Sequence, residues 1–364
     1  MAIKMHSGLK KDDLINYFQK GFKEQNKIRI GVEHEKFLFN KKTKKRINFE
    51  TVSKVLNFLE QFDWVAIKEN NNIIALKKKN KSITLEPGNQ IELSGAPLRS
   101  IHQNCSESYN FLDELKQACK KFNLSMIATS FDPFTELKNI PKNPKKRYEV
   151  MTEEMPKNGK LSLEMMYQTC GTQINLDYIS EKDFMKKFKL SSFLIPLSLG
   201  IFANSPIKEQ KLTNYLSYRA HVWQNTSRGG LPKIFLEDMN FEKYADFAIN
   251  MPLLFILRNG NHLSVNKKSF KDFMEGKILE VNNKKADIKD FETHLATIFT
   301  EVRLKKYIEI RSLDTCEWDC HCSGPAFYTG LLYGSLNEAL EIINKWQKSE
   351  VLNAYGEVPK KGLK

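Results

Sequence analysis

Apolar residues recur along the chain with two different spacings, and each spacing predicts its own type of element. A spacing of three to four residues predicts amphipathic helices, and it occurs in the segments 10–25, 52–62, 106–122, 182–190, 287–299 and 335–349. Alternation of apolar and polar residues predicts strands, and it occurs near 27–39, 72–95, 168–178, 232–237 and 303–312. Strands and helices are therefore interspersed along the chain.

The predicted strands carry polar residues on one face and are often joined by lysine-rich or Pro-Gly turns. This combination is typical of an antiparallel sheet with helices packed behind it, so we predict an α+β fold with a largely antiparallel sheet. The stretch 141–156 contains PKNPKKR and MPKNG and is the most linker-like part of the chain. Because the patterned segments on its two sides carry matching polar faces, we expect one continuous domain over residues 1–364.

Two glutamates share a strand face in the segment KIRIGVEHEKFLFN. Alternation places Glu33 and Glu35 on the polar face, about 7 Å apart by strand geometry. Two like charges that point the same way are costly unless a cation lies between them or they face water. His34 lies on the opposite, apolar face, where we expect a hydrogen-bonded core histidine rather than a catalytic base. Taken alone, the pair is compatible with an ordinary solvated sheet face.

Further strand segments offer polar faces of the same kind. They contribute, in chain order, Thr84 and Glu86 before a Pro87-Gly88 turn and Gln90, Glu92 and Ser94 after it; Gln173, Asn175 and Asp177; and Arg303, Lys305, Tyr307, Glu309 and Arg311. Oxygen-rich ligand sets without a group of four His and Cys ligands select hard cations such as Mg²⁺ or Mn²⁺. Together these strands predict a site for such a cation and for phosphate.

The chain has a formal net charge of +14, and its basic residues are 48 Lys, spread along the whole chain, and 9 Arg. Runs such as KKTKKR (41–46) and KKKNK (77–81) lie between apolar segments, as exposed hairpin tips do. A basic nucleic-acid-binding protein is one interpretation, but the basic runs contain neither a recognition motif nor stacking aromatics. A positive field also suits anionic substrates such as nucleotide phosphates and dicarboxylates.

The arginines are rare enough to be informative. A planar guanidinium binds carboxylate or phosphate through two parallel hydrogen bonds, which the ammonium of lysine cannot do. Arg219, Arg303 and Arg311 are therefore candidate substrate-binding residues. There is no Gly-x-x-x-x-Gly-Lys-Ser/Thr loop and no Gly-x-Gly-x-x-Gly fingerprint, so a nucleotide must be held in another way.

The sequence gives less support to other kinds of site and to a membrane segment. The Cys and His cluster at 316–322 lacks zinc-site spacing, because its adjacent members Cys320, His321 and Cys322 cannot readily turn to one tetrahedral centre. The N-terminus has no apolar core of about 7–15 residues, and the longest apolar stretch, 193–203, is too short to span a bilayer. We expect a cytoplasmic protein without a membrane partner. Its six cysteines are expected to be reduced by default, so that any disulfide would be regulatory.

Six segments, in this order, resemble glutamate–cysteine ligase of the plant and proteobacterial type: GVEHEKF, ITLEPGNQIELSGAPLRSIHQNC, MPKNGKLSLEMMYQTCGTQINLDY, FANSP, YLSYRAHVWQNT and IFTEVRLKKYIEIR. The resemblance runs from about residue 28 to residue 335. It implies a carboxylate–amine ligase related to glutamine synthetase, whose curved antiparallel sheet holds metal-bound ATP. After Arg311 the chain reads Arg-Ser-Leu-Asp and TCEWDCHC, where the family usually has Arg-Gly-Ala-Asp. Plant members carry a transit peptide, which we do not expect here.

By this resemblance the metal-binding acidic positions of the sheet are Glu33, Glu35, Glu86, Glu92 and Glu309. Gln173 and Asn175 match its polar strand near metal and phosphate. Arg219 matches the arginine that holds the glutamate substrate, and Arg311 the arginine that meets the transferred phosphate in related ligases. Arg311 and Glu309 are therefore the candidate catalytic residues. These roles are what the family resemblance implies, and they require that the residues lie close together in the folded chain.

The resemblance also implies a reaction and a redox pair. With ATP and Mg²⁺, or Mn²⁺, the γ-carboxylate of L-glutamate becomes a γ-glutamyl phosphate, and the amine of L-cysteine attacks it to give γ-glutamylcysteine, the first step of glutathione biosynthesis. A ligase of the same fold with a different amine acceptor is the alternative. Cys105 and Cys322 match two cysteines that the plant-type family can pair, although Cys316 or Cys320 can compete for Cys322. A monomer and a redox-dependent homodimer both stay open.

Overall fold

A sheet flanked by helices organises the chain, and the computed structural model describes residues 8–69, 71–265 and 267–364. The helices are α1 (Lys11–Gln19), α2 (Phe49–Leu59), α3 (Ile101–Lys121), α4 (Lys146–Glu154), α5 (Ser162–Gln168), α6 (Glu181–Phe193), α7 (Ile195–Ile201), α8 (Tyr218–Gln224), α9 (Phe241–Asn250), α10 (Phe270–Met274), α11 (Ile288–Ala296), α12 (Ser323–Thr329), α13 (Leu336–Ile343) and α14 (Lys348–Lys361). The strands are β1 (Ile30–Asn40), β2 (Val65–Glu69), β3 (Asn72–Lys78), β4 (Lys81–Leu85), β5 (Ile91–Ser94), β6 (Leu124–Ile127), β7 (Gly171–Leu176), β8 (Ile207–Lys208), β9 (Lys211–Leu212), β10 (Gly229–Gly230), β11 (Ile256–Arg258), β12 (Asn261–Leu263), β13 (Phe299–Thr300), β14 (Val302–Leu304) and β15 (Ile308–Asp314).

The main sheet has the strand order β14-β15-β7-β1-β5-β4-β3-β2, and β6 pairs with the end of β1. All of these pairings are antiparallel. With 11 residues, β1 is long enough to pair with β7, β5 and β6 along its length. The predicted α+β fold with a largely antiparallel sheet is confirmed.

The apolar face of the sheet packs against helices. Ile30 and Val32 of β1 are buried in the largest hydrophobic cluster, together with residues of α1, α6, α9 and α11. Leu38, further along β1, belongs to a second cluster with α2 and α3. The buried residues of α2 recur at three- and four-residue intervals: Val52, Val55, Leu56 and Leu59. This packing leaves the opposite face of the central strands for polar residues.

One predicted strand is wrong. Residues 232–237 contain a 3₁₀ turn at Lys233–Leu236, in which the Phe235 N–H donates to the Pro232 carbonyl at 2.9 Å. Pro232 has no N–H to offer a strand ladder, and Phe235 is buried as part of the turn. Alternation over six residues could not distinguish a strand from a short helical turn.

The linker-like stretch 141–156 is folded into the core. It contains α4, whose Tyr148 and Met151 are buried in a third hydrophobic cluster with residues of α5 and α8. The Tyr148 hydroxyl donates to the Leu85 carbonyl at 2.8 Å, which ties α4 to the end of β4. Within the described ranges, no helix has both the length and the apolarity needed to cross a bilayer.

Candidate active site

The register of the sheet places the predicted polar residues on one face of five neighbouring strands. Residues that lie directly opposite each other on antiparallel strands point to the same side of a sheet. The opposed pairs are Glu35 and Glu92 on β1 and β5, Glu33 and Gln173 on β1 and β7, Asn175 and Glu309 on β7 and β15, and Glu309 and Arg303 on β15 and β14. Alternation within each strand thus produces a continuous polar strip across the sheet.

A cavity of about 310 Å³ lies over this strip. The predicted residues that line it are Glu33, Glu35, Glu86, Glu92, Gln173, Arg303 and Arg311. The remaining three lie just outside the cavity wall: Asn175 hydrogen bonds to Glu33, Glu309 to Arg303, and Arg219 to the Arg311 carbonyl. The structure therefore brings all of the predicted metal, substrate and catalytic residues to one place.

One end of the cavity, which we call the acidic half, consists of Glu33, Glu35, Glu86 and Glu92. Its hydrogen-bond donors are neutral: the Asn175 side-chain amide donates to Glu33 at 2.8 Å, and the Gly171 N–H donates to Glu35 at 2.7 Å. The ion pairs formed among the described residues include none of these four carboxylates, whereas Glu309 takes part in three. The acidic half therefore has no ion-pair partner of its own, and the charges of Lys305, Arg219 and Lys145 act on Glu33, Glu35 and Glu92 only from a longer distance.

Three of these carboxyl groups have raised pKa values. Burial raises the pKa of Glu33 to about 7, and the charges of Glu92 and Glu309 add to the effect. Burial, followed by the charges of Glu92 and Glu86, raises the pKa of Glu35 to about 8. The pKa of Glu92 is also raised, first by burial and then by Glu86. Each carboxylate would be stabilised by a cation placed among them.

The other end, which we call the arginine half, consists of Arg303, Lys305 and Arg311 around Glu309. Arg303 grips the Glu309 carboxylate with two hydrogen bonds, from Nε at 2.9 Å and from Nη2 at 2.6 Å. Lys305 Nζ lies 3.2 Å from the same carboxylate, and Arg311 donates to both Glu309 and Gln173. Burial alone would raise the pKa of Glu309, but the three cations hold it well below its usual range.

Arg219 lies behind the arginine half, on α8. Its Nη1 and Nη2 donate to the carbonyls of Ser312 at 2.9 Å and Arg311 at 2.8 Å, so it links α8 to the backbone of β15. Its guanidinium carbon lies 5.0 Å from the centre of the Trp223 ring, which itself lines the cavity. In this conformation Arg219 supports Arg311 and is not itself one of the lining residues.

The chain matches one family over most of its length. The model of glutamate–cysteine ligase family 2 matches residues 29–364. The chain belongs to this family. Glutamate–cysteine ligase B, chloroplastic, of Oryza sativa subsp. japonica is 42% identical over an alignment of 369 positions, which covers 100% of this chain and 74% of the rice protein. The chloroplastic glutamate–cysteine ligase of Nicotiana tabacum is 42% identical over 362 residues, which are 98% of this chain and 69% of the tobacco protein.

A solved structure has a similar fold at much lower identity. It is the crystal structure of glutamate–cysteine ligase from Francisella tularensis in complex with AMP, with a TM-score of 0.52 and 13% sequence identity. The superposition covers 94% of this chain and 72% of that chain. At this identity the likeness concerns the fold alone, and it agrees with the antiparallel sheet seen in this member of glutamate–cysteine ligase family 2.

Two cationic residues that line the cavity were not predicted from the sequence of this family member. Lys145 and Arg147 line the cavity from the start of α4. Lys145 Nζ donates to the Leu85 carbonyl at 2.8 Å, and burial, with the charge of Arg147, lowers the pKa of Lys145 to about 8. Both residues lie in the PKNPKKR stretch, which has no periodicity. The available signal was the rarity of arginine, which singles out Arg147 as one of nine.

The cysteines lie on the side of β1 opposite to the cavity. The structure brings Cys105 of α3 into disulfide contact with Cys322, with their Cα atoms 5.8 Å apart and a sequence separation of 217. His321, next to Cys322, stacks on His34 with ring centroids 3.5 Å apart. His34 is buried, and its Nδ1 lies 3.4 Å from the Thr172 hydroxyl, so it is the core histidine that its apolar strand face indicated. The redox role of the two cysteines stays a prediction.

Proposed function

We propose that this chain joins the γ-carboxylate of L-glutamate to the amine of L-cysteine at the expense of ATP, giving γ-glutamylcysteine. The observation that carries the proposal is the polar strip, whose carboxylates line a single cavity together with the guanidinium groups of Arg303 and Arg311. A carboxylate is a poor electrophile, so it must be phosphorylated before an amine attacks it. Such a reaction needs cations for ATP and fixed positive groups for the phosphate in transfer.

For the metal we propose Mg²⁺, with Mn²⁺ as its substitute, held by Glu33, Glu35, Glu86 and Glu92. Oxygen donors that form no ion pair within the protein suit a hard cation. Among the described residues, no three acidic, His or Cys side chains already converge on one point. Mg²⁺ is usually held by one or two carboxylates plus substrate phosphates, so carboxylates spread around a cavity fit it when the nucleotide supplies further ligands. Bound there, the ion would neutralise part of the negative charge of the phosphates.

Glu309 receives a different role in the proposal. It was predicted as a fifth metal ligand and as a catalytic residue, but both of its oxygens accept hydrogen bonds from cations of the protein. We assign it the task of orienting Arg303 and Arg311 toward the cavity. Fixed in this way, the two guanidinium groups need little reorganisation when negative charge builds up between them.

Glutamate binding is assigned to the region around Arg219. Three buried donors have no acceptor among the described residues: Nε of Arg219, Nε of Arg311 and Nε1 of Trp223. Buried donors normally have partners, so a group of unpaired ones suits a carboxylate ligand. Gln173 and Asn175 donate to Glu35 and Glu33, and they keep these carboxylates on the cavity side of the sheet.

The proposed reaction has two balanced steps. An oxygen of the glutamate γ-carboxylate attacks the γ-phosphorus of ATP, ADP leaves, and a γ-glutamyl phosphate forms. The neutral amine of cysteine then attacks the acyl carbon, inorganic phosphate leaves with its bonding pair, and the new amide loses a proton. Arg311, which lines the cavity beside Arg303, would accompany the phosphoryl group in both steps. The proposal contains no covalent enzyme nucleophile.

Location and assembly stay predictions. The rice and tobacco relatives are named as chloroplastic proteins, and a cytoplasmic location stays a proposal for this chain. ATP, glutamate and cysteine are the proposed partners, without nucleic acid. A monomer and a redox-dependent homodimer both remain compatible with the proposal.

The test is a product assay with a choice of acceptors. The protein is incubated with ATP, Mg²⁺ and glutamate, and with cysteine, alanine or glycine as the amine, while ADP release and the peptide product are followed by mass spectrometry. We expect γ-glutamylcysteine with one ADP per product, and much slower turnover with the other amines. Equal turnover with alanine would favour a ligase with another acceptor. Salt-dependent binding to DNA or RNA that is still present at physiological salt, without ligation, would favour the nucleic-acid alternative.

A further inference from the structure

The lysine-rich run 41–46 ends in a buried arginine, although the whole run was expected to be an exposed hairpin tip. Residues 41–45 form an exposed turn after β1, as expected. Arg46 then pairs with Phe39 in a short antiparallel bridge, and its side chain is only 1% exposed. Because a buried guanidinium is costly without charged and hydrogen-bonding partners, its contacts indicate what it holds.

Arg46 connects two segments that are distant in the chain. Its Nη1 donates to the carboxylate of Asp132 at 2.9 Å, and Asp132 is itself fully buried. Its Nη2 donates to the Gly88 carbonyl. Its guanidinium carbon lies 4.5 Å from the centre of the Phe37 ring, a cation–π distance. Three contacts with different geometries fix the guanidinium plane, and with it the position of the Gly88 carbonyl relative to β1.

Gly88 belongs to the turn that carries Glu86. The turn is closed by the Glu86 N–H, which donates to the Gln90 carbonyl at 2.9 Å, and by the Gly88 N–H, which donates to the Gln90 side chain at 2.8 Å. A side chain at Gly88 has no space, because a Cβ there would lie 2.6 Å from the Tyr167 carbonyl. Glu86 and Gln90 line the cavity. Movement of this turn would therefore displace one carboxylate of the acidic half.

We propose that Arg46 is a positioning residue for the acidic half: by holding the Gly88 carbonyl, it sets the place of the Glu86 carboxylate and hence the Mg²⁺ affinity of the cavity. The inference rests on the proposed metal role of Glu86. A lysine at position 46 keeps the charge opposite Asp132, but a single ammonium cannot reproduce the planar fork that reaches Asp132 and Gly88 together. Groups that orient metal ligands typically change metal affinity by about 10–100-fold when they are altered.

The experiment is a Mg²⁺ titration of thermal stability on the full chain, with the metal alone as the probe. For Arg46→Lys we expect the midpoint of the Mg²⁺-dependent rise in Tm to shift upward about tenfold. Gly88→Ala, which disturbs the same contact from the other side, should shift the midpoint in the same direction. In turnover assays the half-saturating Mg²⁺ concentration should rise for both variants, while the KM for cysteine changes little.

The matched control is Lys187→Met. Counted over the whole residue, Lys187 is as buried as Arg46, with 4% and 5% exposure, and its Nζ contacts Asp183 at 2.8 Å outside the cavity. It should lower Tm without moving the Mg²⁺ midpoint. If Arg46→Lys behaves like this control, Arg46 is a structural residue and the inference is overturned. If the unaltered protein shows no Mg²⁺ response, either with the metal alone or with a non-hydrolysable ATP analogue present, the proposed metal role of the acidic half fails, and the inference about Arg46 fails with it.

Discussion

The two halves of the cavity use the same residue type in opposite ways. Glu33 and Glu35 are half-buried and form no ion pair among the described residues, and their pKa values rise to about 7 and about 8. Glu309 is buried at least as deeply, yet Arg303 and its neighbours hold its pKa well below the usual range. Burial is common to both halves, so the difference lies in charge compensation. Uncompensated carboxylates form a place for an external cation, whereas a compensated carboxylate orients the cations that surround it.

The largest expected effect is on catalysis in the acidic half. Glu35→Gln keeps the shape of the side chain but removes a metal ligand, so we expect turnover to fall by about three orders of magnitude, in line with the several kcal/mol that a bound metal contributes to charge stabilisation. The measurement is the rate of ADP release at ordinary Mg²⁺. Glu107→Gln is the control, because Glu107 is a half-buried glutamate with a raised pKa outside the cavity. Full activity of Glu35→Gln would remove the metal role from this residue.

The second effect is on stability and should have opposite signs in the two halves. Glu309→Gln leaves buried cations without their partner, and we expect a loss of about 3–5 kcal/mol in the free energy of unfolding. Glu33→Gln relieves repulsion among the carboxylates, so it should leave the metal-free protein as stable as before or more stable. Urea unfolding in the presence of EDTA compares the two variants. Changes of the same sign would show that charge compensation does not distinguish the halves.

A third, smaller effect separates the roles of two arginines. Arg219→Lys keeps the charge and loses the bidentate fork, so the KM for glutamate should rise about tenfold and the KM for ATP much less. Arg311→Lys should instead lower kcat, because its proposed partner is the phosphoryl group. Steady-state kinetics with each substrate varied in turn will show the split. Equal effects of Arg219→Lys on the two KM values would contradict its assignment to glutamate.

The smallest expected effect is a pH dependence of stability. In the folded protein the pKa values of Glu33 and Glu35, about 7 and about 8, lie above the ordinary value of 4.5. Between the ordinary pKa of 4.5 and the raised values, the folded state therefore binds more protons than the unfolded state. The free energy of unfolding thus falls as pH rises through this range. We expect a decline in Tm on the order of a few degrees without metal, and its disappearance with excess Mg²⁺.

The control for the pH experiment is a Glu33→Gln, Glu35→Gln double variant. Its Tm should change less between pH 5 and pH 8 than that of the unaltered protein, because the two titrating groups are gone. Glu309 should contribute outside this window, since its lowered pKa means that its stabilisation is lost only as pH falls below the ordinary value. An identical pH profile for the double variant and the unaltered protein would contradict the raised pKa values.

Much of the site could be predicted because strand alternation has a period of two. Glu33 and Glu35 in β1, Glu92 in β5 and Gln173 in β7 each belong to an alternating segment, and antiparallel pairing placed their polar faces side by side. The sequence alone could not tell that Glu309 is compensated. That depends on the hairpin register that sets Arg303 opposite Glu309, and register follows from turn geometry and packing.

The residues that escaped prediction lie in segments without periodicity. Lys145 and Arg147 follow a Pro-rich stretch, and Arg46 ends a run of exposed lysines, so neither segment carries a pattern of apolar positions. The burial of Lys145 and Arg46 results from contacts with distant chain segments, such as the Leu85 carbonyl for Lys145 and Asp132 for Arg46. Local pattern therefore predicted the strands of the site, whereas the parts that enclose and brace it depended on tertiary packing.

The central claim is that this cavity activates glutamate as an acyl phosphate before cysteine attacks. It is tested most directly with glutamate that carries ¹⁸O in its γ-carboxylate, in a reaction with ATP, Mg²⁺ and cysteine. If the γ-glutamyl phosphate forms, one carboxylate oxygen leaves with the phosphate, so we expect one ¹⁸O in the inorganic phosphate for each γ-glutamylcysteine made. Inorganic phosphate without ¹⁸O, at an undiminished rate of product formation, would contradict the account.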